Sequence, residues 1–168
     1  ALIEINAPEV PIMDGSSKEF VENILKTGVK EQKTKRKYLK ILKKFEFREN
    51  EKLISILPND DSLKVDFELV YSNETIGKQR NKINFSDKDL TNVYSSRTFC
   101  LFEDVEQIKK IGLAKGGSLD NAIVVKDGKI LNSTGLRNTK EFVNHKILDL
   151  AGDFLLSGFR ILGSVTCT

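Results

Sequence analysis

The sequence predicts an α+β fold, and three patterns carry that expectation. Leu63, Val65, Phe67, Leu69 and Tyr71 alternate with Lys64, Asp66 and Glu68, the period of a strand with one face toward water. Phe142, Leu148, Ala151 and Leu155 recur at helical spacing between Asn138 and Gly158. Asn121–Val125 and Ile130-Leu131 flank Lys126-Asp-Gly-Lys129, which reads as a hairpin closed by an Asp-Gly turn.

The elements follow in order. Leu2–Ile5 alternates like a strand, and Asn6–Gly15 is a loop with two prolines and an Asp-Gly turn. Ser16 can cap a helix through Phe20, Val21, Ile24 and Leu25, stopped by Gly28. Lys30 to Lys44 is the most basic stretch and reads as a linker passing into a strand whose lysines face solvent. Phe45 and Phe47, Leu53–Leu57, Leu63–Tyr71 and Asn81–Phe85 read as strands, with turns at Asn50-Glu51 and Asn59–Asp61. Ser86 with Asp89 opens a helix through Leu90, Val93 and Tyr94. Asp104 to Ile111 reads as a short helix ended by Gly112. The hairpin and the long helix follow. Asn138 is placed to cap that helix, with Glu141 completing a capping box.

Composition narrows the function classes. The chain has 168 residues, enough for one domain or one domain plus part of another. A net charge of +3 does not by itself call for nucleic acid or an anionic membrane. Cys100 and Cys167 make neither a metal spacing nor a disulfide framework, which favours a reducing, cytoplasmic setting. No apolar run approaches the ~20 residues needed to span a bilayer, so stable membrane insertion is not expected. The chain opens without Met and closes on Gly163–Thr168, which reads as a strand. We expect a segment of a longer protein.

The candidate chemistry centres on the sole histidine. His145 lies four residues before Asp149, so on a helix an imidazole and a carboxylate share one face. Zinc accepts that pair, although a structural hydrogen-bonded pair has the same spacing and a catalytic zinc usually has three protein ligands. A His-Lys pair and two aspartates interrupt an otherwise apolar helix, a local cost of the kind that marks function.

Four stretches occur together in order: Asn6-Ala-Pro-Glu-Val-Pro-Ile-Met-Asp-Gly-Ser16, Ser96-Arg-Thr-Phe99, Gly116-Gly-Ser-Leu-Asp-Asn-Ala-Ile-Val124, and His145-Lys-Ile-Leu-Asp149 continuing to Gly152-Asp153. As a set they resemble the UDP-3-O-acyl-N-acetylglucosamine deacetylases, zinc enzymes of lipid A synthesis, over essentially all 168 residues, with 45–85 matching only loosely. The resemblance implies Zn2+ as cofactor, with His145 and Asp149 as two of three protein ligands. It implies that Lys146 faces the charged head of the substrate, UDP-3-O-acyl-N-acetylglucosamine. Asp153 would orient a catalytic histidine, Thr98 would bond the developing oxyanion, and Phe99 would contact substrate. Gly116, Gly117, Ser118 and Ala122 would line a passage for the acyl chain, and Lys52 would lie near the UDP phosphates. Cys100-Leu101 stands where the family usually has Gly-Phe, which affects the backbone after Phe99.

The resemblance also implies organisation. The family fold layers helices on a mostly antiparallel sheet in each of two domains. Residues 1–28 would close the first domain, 29–32 would link, and 33–168 would form most of the second, with a βαβ insert near 112–132. The remaining ligand, the general-base glutamate and the catalytic histidine would come from the rest of the same polypeptide, and this segment alone would be inactive. Two other classes compete. One is a non-catalytic module using 30–44 for an acidic partner, with His145 and Asp149 a structural pair. The other is a lipid carrier built around the glycine-lined passage.

Overall fold

The computed structural model describes residues 2–110 and 116–168. Helix α1 (Lys18–Thr27) precedes five strands, β1 (Tyr38–Lys40), β2 (Phe45–Glu49), β3 (Lys52–Pro58), β4 (Leu63–Val70) and β5 (Lys78–Asn84). A short helix α2 (Thr91–Tyr94), strand β6 (Phe99–Leu101) and helix α3 (Phe102–Lys110) follow. The chain then forms β7 (Ile123–Lys126), β8 (Lys129–Ile130), α4 (Glu141–Leu155) and β9 (Arg160–Cys167). The class is α+β, as the sequence predicts.

Five strands run in the order β2-β3-β9-β4-β5, with β1 also paired to β9. The neighbours β2/β3, β3/β9 and β4/β5 are antiparallel, while β9 runs parallel to β4 and to β1. The last strand in sequence is therefore central. Register aligns Phe45, Ile56, Val165, Val65 and Ile83 in one row across the sheet. Period-two side chains put that row on one face. Helix α4 packs over β4, β5 and β9, burying Phe142, Val143 and Ile147 completely against it. At the β2 end Phe45 and Phe47 stay exposed. The opposite end is ionic: Lys78 meets Glu68 at 2.8 Å, while Arg80 and Lys82 meet Asp66 at 2.7 and 3.1 Å.

A second sheet, β6-β7-β8, sends Ile123 and Val125 into the same buried core as α4 and the large sheet. Strands β6 and β7 are parallel, and α3 lies in the crossover between them. The Asp-Gly turn forms as expected. Asp127 and Gly128 have φ of 47° and 71°, the two positive values that a type I′ hairpin requires. The expected helix stop at Gly112 and the start of the expected insert lie outside the described residues.

Several expectations are corrected. Residues 2–5 form no strand, and Leu2 and Ile3 are exposed. Alternation needs a partner edge before it becomes a strand. Strand β5 starts at Lys78, before the expected Asn81, because pairing to β4 carries three polar residues into the ladder. Helix α4 ends at Leu155, and the following turn closes where Gly158, at φ 79°, donates its N–H to the Leu155 carbonyl. Asn138 is not the cap of α4: the helix is capped at Lys140 without a side-chain bond, and the Asn138 side chain accepts the Lys140 N–H at 3.0 Å just before it. Glu141 closes no capping box. Its carboxylate is buried and taken by two arginine residues described below.

Candidate metal centre and its surroundings

His145 lies on α4 and is buried. Its Nδ1 stands 3.0 Å from the Ser96 carbonyl oxygen. A carbonyl oxygen only accepts, so Nδ1 carries the hydrogen, and in the neutral ring Nε2 keeps its lone pair. That lone pair faces Asp149 Oδ1 at 3.3 Å. Two electron-pair donors so placed repel unless a proton or a cation lies between them. Ligands held at about 2.0–2.1 Å by a tetrahedral zinc stand about 3.3 Å apart, so the pair fits two corners of such a site. Among the described residues no cluster of three or more His, Cys, Asp or Glu side chains forms.

The neighbouring predicted residues gather here. Lys146 Nζ donates to Asp149 Oδ2 at 2.8 Å, leaving Oδ1 for the imidazole side. The same ammonium lies 5.6 Å from the Phe99 ring centre, within cation–π range. Phe99 is fixed edge-on between Phe142 and Tyr71, with ring centres 4.9 and 5.8 Å away. Asp153 follows Asp149 by one further turn and is exposed.

Thr98 is held by its backbone on both sides. Its N–H donates to the Gly15 carbonyl at 2.7 Å, and its carbonyl accepts the Ile123 N–H at 2.8 Å. Cys100 and Leu101 continue from Phe99 in extended strand paired with Val124 and Val125, so their side chains are accommodated. Burial, then the charge of Asp104, pushes the Cys100 thiol up, which makes it a poor nucleophile. Gly15 has φ of 80°, and a Cβ there would stand 1.9 Å from the Asn121 carbonyl oxygen. Gly15→Ala is therefore expected to lower the unfolding free energy by more than the ~1 kcal/mol of an ordinary left-handed alanine, read as a lower urea midpoint. An unchanged midpoint would show that the 12–16 loop can leave Thr98 freely.

A buried ion pair underlies these residues. Glu141 Oε1 accepts from Arg97 Nε at 2.8 Å and from the Arg97 backbone N–H at 3.1 Å, and Oε2 accepts the Arg137 N–H at 2.6 Å. Arg97 also donates to the Gly135 carbonyl at 2.7 Å. Sequence reasoning missed this role, and Glu141 fitted a surface cap equally well. The available signal was Arg97 inside a Ser-Ser-Arg-Thr stretch otherwise without charge.

Arg137 extends the network to the opposite loop, donating to Asp14 Oδ2 at 2.7 Å. Burial acts to raise the Asp14 carboxyl, but the Ser16 hydroxyl, the Arg137 guanidinium and the Ser16 amide outweigh it and hold it below 3.8. A depressed folded value stabilises the fold above the unfolded carboxyl's pKa, and that stabilisation is lost as pH falls through the folded value. Asp14→Asn should therefore flatten the loss of stability below about pH 4. Identical acid limbs in urea titrations would remove Asp14 from the linkage.

Among the described residues, no hydrogen bond or ion pair joins the other predicted residues to His145 or Asp149. Gly116, Gly117 and Ser118 form an exposed turn clamped by Asn121, which accepts the Ser118 N–H at 2.9 Å and donates to the Gly116 carbonyl at 2.9 Å. Ala122 follows, donating its N–H to the Ser118 carbonyl. Lys52 is exposed at the start of β3 opposite Glu49. A cavity of about 280 Å³ lies at the start of α4, lined by Asn81, Asn92, Asn138 and Asn144 among others, and none of the predicted site residues borders it.

The family model "UDP-3-O-acyl N-acetylglycosamine deacetylase" matches residues 1–168. A protein of Haemophilus ducreyi named UDP-3-O-acyl-N-acetylglucosamine deacetylase is 42% identical over 168 residues, covering 98% of this chain and 55% of that protein. Its namesake from Actinobacillus pleuropneumoniae serotype 3 is 42% identical over 165 residues, covering 96% of this chain and 54% of its own length. That of Legionella pneumophila strain Corby is 40% identical over 167 residues, with 98% and 55% covered. The chain thus spans about half the length of the curated relatives it matches. With the family model matched over residues 1–168 and relatives about 40% identical over nearly the whole of this chain, the chain belongs to the UDP-3-O-acyl N-acetylglycosamine deacetylase family.

Proposed function

We propose that the intact protein is a zinc-dependent deacetylase that removes the N-acetyl group from UDP-3-O-acyl-N-acetylglucosamine in lipid A biosynthesis, working in the cytoplasm. The observation that carries this is the imidazole–carboxylate pair, Nε2 to Oδ1 at 3.3 Å, with the far ring nitrogen tied to a carbonyl. The family match and the names of the relatives support the substrate. No described helix is long and apolar enough to cross a membrane.

His145 through Nε2 and Asp149 through Oδ1 would hold the metal. Zinc bound there would supply the Lewis acidity that activates water and polarises an amide carbonyl. Lys146, set between Asp149 and Phe99, would meet the anionic part of the substrate while Phe99 contacts the sugar or chain. Thr98, its backbone held at both ends, would present its hydroxyl to the developing oxyanion. Asp153 would orient an imidazole supplied by the rest of the polypeptide, which would also bring the third ligand and the general base. The Gly116–Ser118 turn with Ala122 would border the acyl chain, and Lys52 the UDP phosphates. The segments 1–28 and 33–168 would belong to two domains, with a βαβ insert near 112–132 forming the acyl passage.

The test is a deacetylation assay on the full-length protein before and after chelation. Turnover should vanish on chelation and return with zinc, while the 168-residue chain alone should show none. A chelated full-length protein with undiminished rate would overturn the metal reading, and turnover by the isolated chain would overturn the shared site.

A further inference from the structure

The Ser96–Arg97 peptide is held at both ends by one helix. Its carbonyl accepts from His145 Nδ1 at 3.0 Å, and its N–H donates to Glu141 Oε1 at 3.1 Å. Glu141 and His145 are four residues apart on α4, one turn from each other. A trans peptide is planar, so fixing the direction of its N–H fixes the direction of its carbonyl. The Glu141 side chain is wholly buried and cannot swing into solvent. The Arg97 guanidinium and the Arg137 N–H hold the carboxylate in turn, and Arg97 is anchored again on the Gly135 carbonyl.

We infer that Glu141 is a positioning residue for His145: by gripping the Arg97 N–H it aims the Ser96 carbonyl at Nδ1, and so selects the ring tautomer whose Nε2 lone pair faces Asp149. Glu141 needs no contact with substrate or metal for this. Outer partners of this kind set ligand orientation and are worth 10- to 100-fold in metal affinity. The metal part of the inference rests on the zinc reading above, but the tautomer part does not.

The test uses the full-length protein, metal-free, with 15N-labelled histidine, the His145 signals being assigned by their loss in His145→Ala. Wild type, brought to a pH at which the His145 ring is neutral, should show its remaining proton on Nδ1 with Nε2 bare. Arg97→Met with Glu141→Leu removes the grip while replacing a buried ion pair by apolar side chains, a change folds commonly tolerate. In that variant the Nδ1–H preference should fall toward an even mixture, and zinc affinity should drop 10- to 100-fold. Glu141→Asp keeps the charge but withdraws the carboxylate by one methylene. It should give an intermediate tautomer ratio, and it decides the matter if the double variant does not fold. Glu141→Gln keeps an acceptor and should retain the wild-type tautomer. A purely structural role would shift stability and leave the tautomer alone. An unchanged tautomer in a folded double variant or in Glu141→Asp overturns the inference. A tautomer that moves in a protein that never binds zinc leaves the positioning role standing and removes the metal reading instead.

Discussion

His145→Ala in the full-length protein is expected to abolish tight zinc binding and to lower deacetylation by more than about 100-fold. Loss of an outer partner alone costs 10- to 100-fold in metal affinity or activity, and a ligand should cost more. The fold should survive. The fold loses the bond from Nδ1 to the Ser96 carbonyl, about 1 kcal/mol, and the packing of a buried imidazole. Metal content by mass spectrometry and thermal melting separate the two effects. A variant that keeps one zinc per chain would take His145 out of the site. Asp149→Asn is the companion measurement. It keeps the side chain's shape but removes its charge, and should weaken zinc without disturbing the Ser96 contact.

Glu141→Ala should destabilise the full-length protein by about 3–5 kcal/mol, the range for removing one partner of a buried ion pair. The Arg97 guanidinium would remain almost fully buried with only the Gly135 carbonyl, and the backbone N–H groups of Arg97 and Arg137 would lose their acceptors. Against a total stability of about 5–15 kcal/mol that is a large fraction. Adding Arg97→Met to Glu141→Leu should recover the share of that loss due to the stranded charge, the two backbone N–H groups still lacking their acceptor. Urea denaturation of wild type and these two variants measures the loss and its recovery. A loss below ~1 kcal/mol for the single alanine variant would mean that water reaches the arginine.

The sequence made the apolar rows legible because a strand with one wet face writes its period directly, as Leu63–Tyr71 does. The Asp-Gly turn was legible because few dipeptides tolerate two successive positive φ values. Short or polar elements were not. Strand β6 has three residues, too few for a period, and β5 begins with Lys-Gln-Arg, which only its pairing with β4 explains. Within the site, the His145–Asp149 spacing announced itself, whereas the Arg97–Glu141 pair joins residues 44 positions apart and follows no local rule. Residues 2–5 show the converse, an alternating pattern that pairs with no strand among the described residues.

The two margins of the large sheet have opposite social consequences. Three cations along β5, partly spent on Asp66 and Glu68, repel any foreign strand that approaches with similar charge and demand that it strip them of water. At β2, exposed phenyl rings sit beside backbone groups with no paired strand on their outer side among the described residues. Clumping of this polypeptide at high concentration should therefore start from Phe45 and Phe47, and a lysine at either position should keep it dispersed.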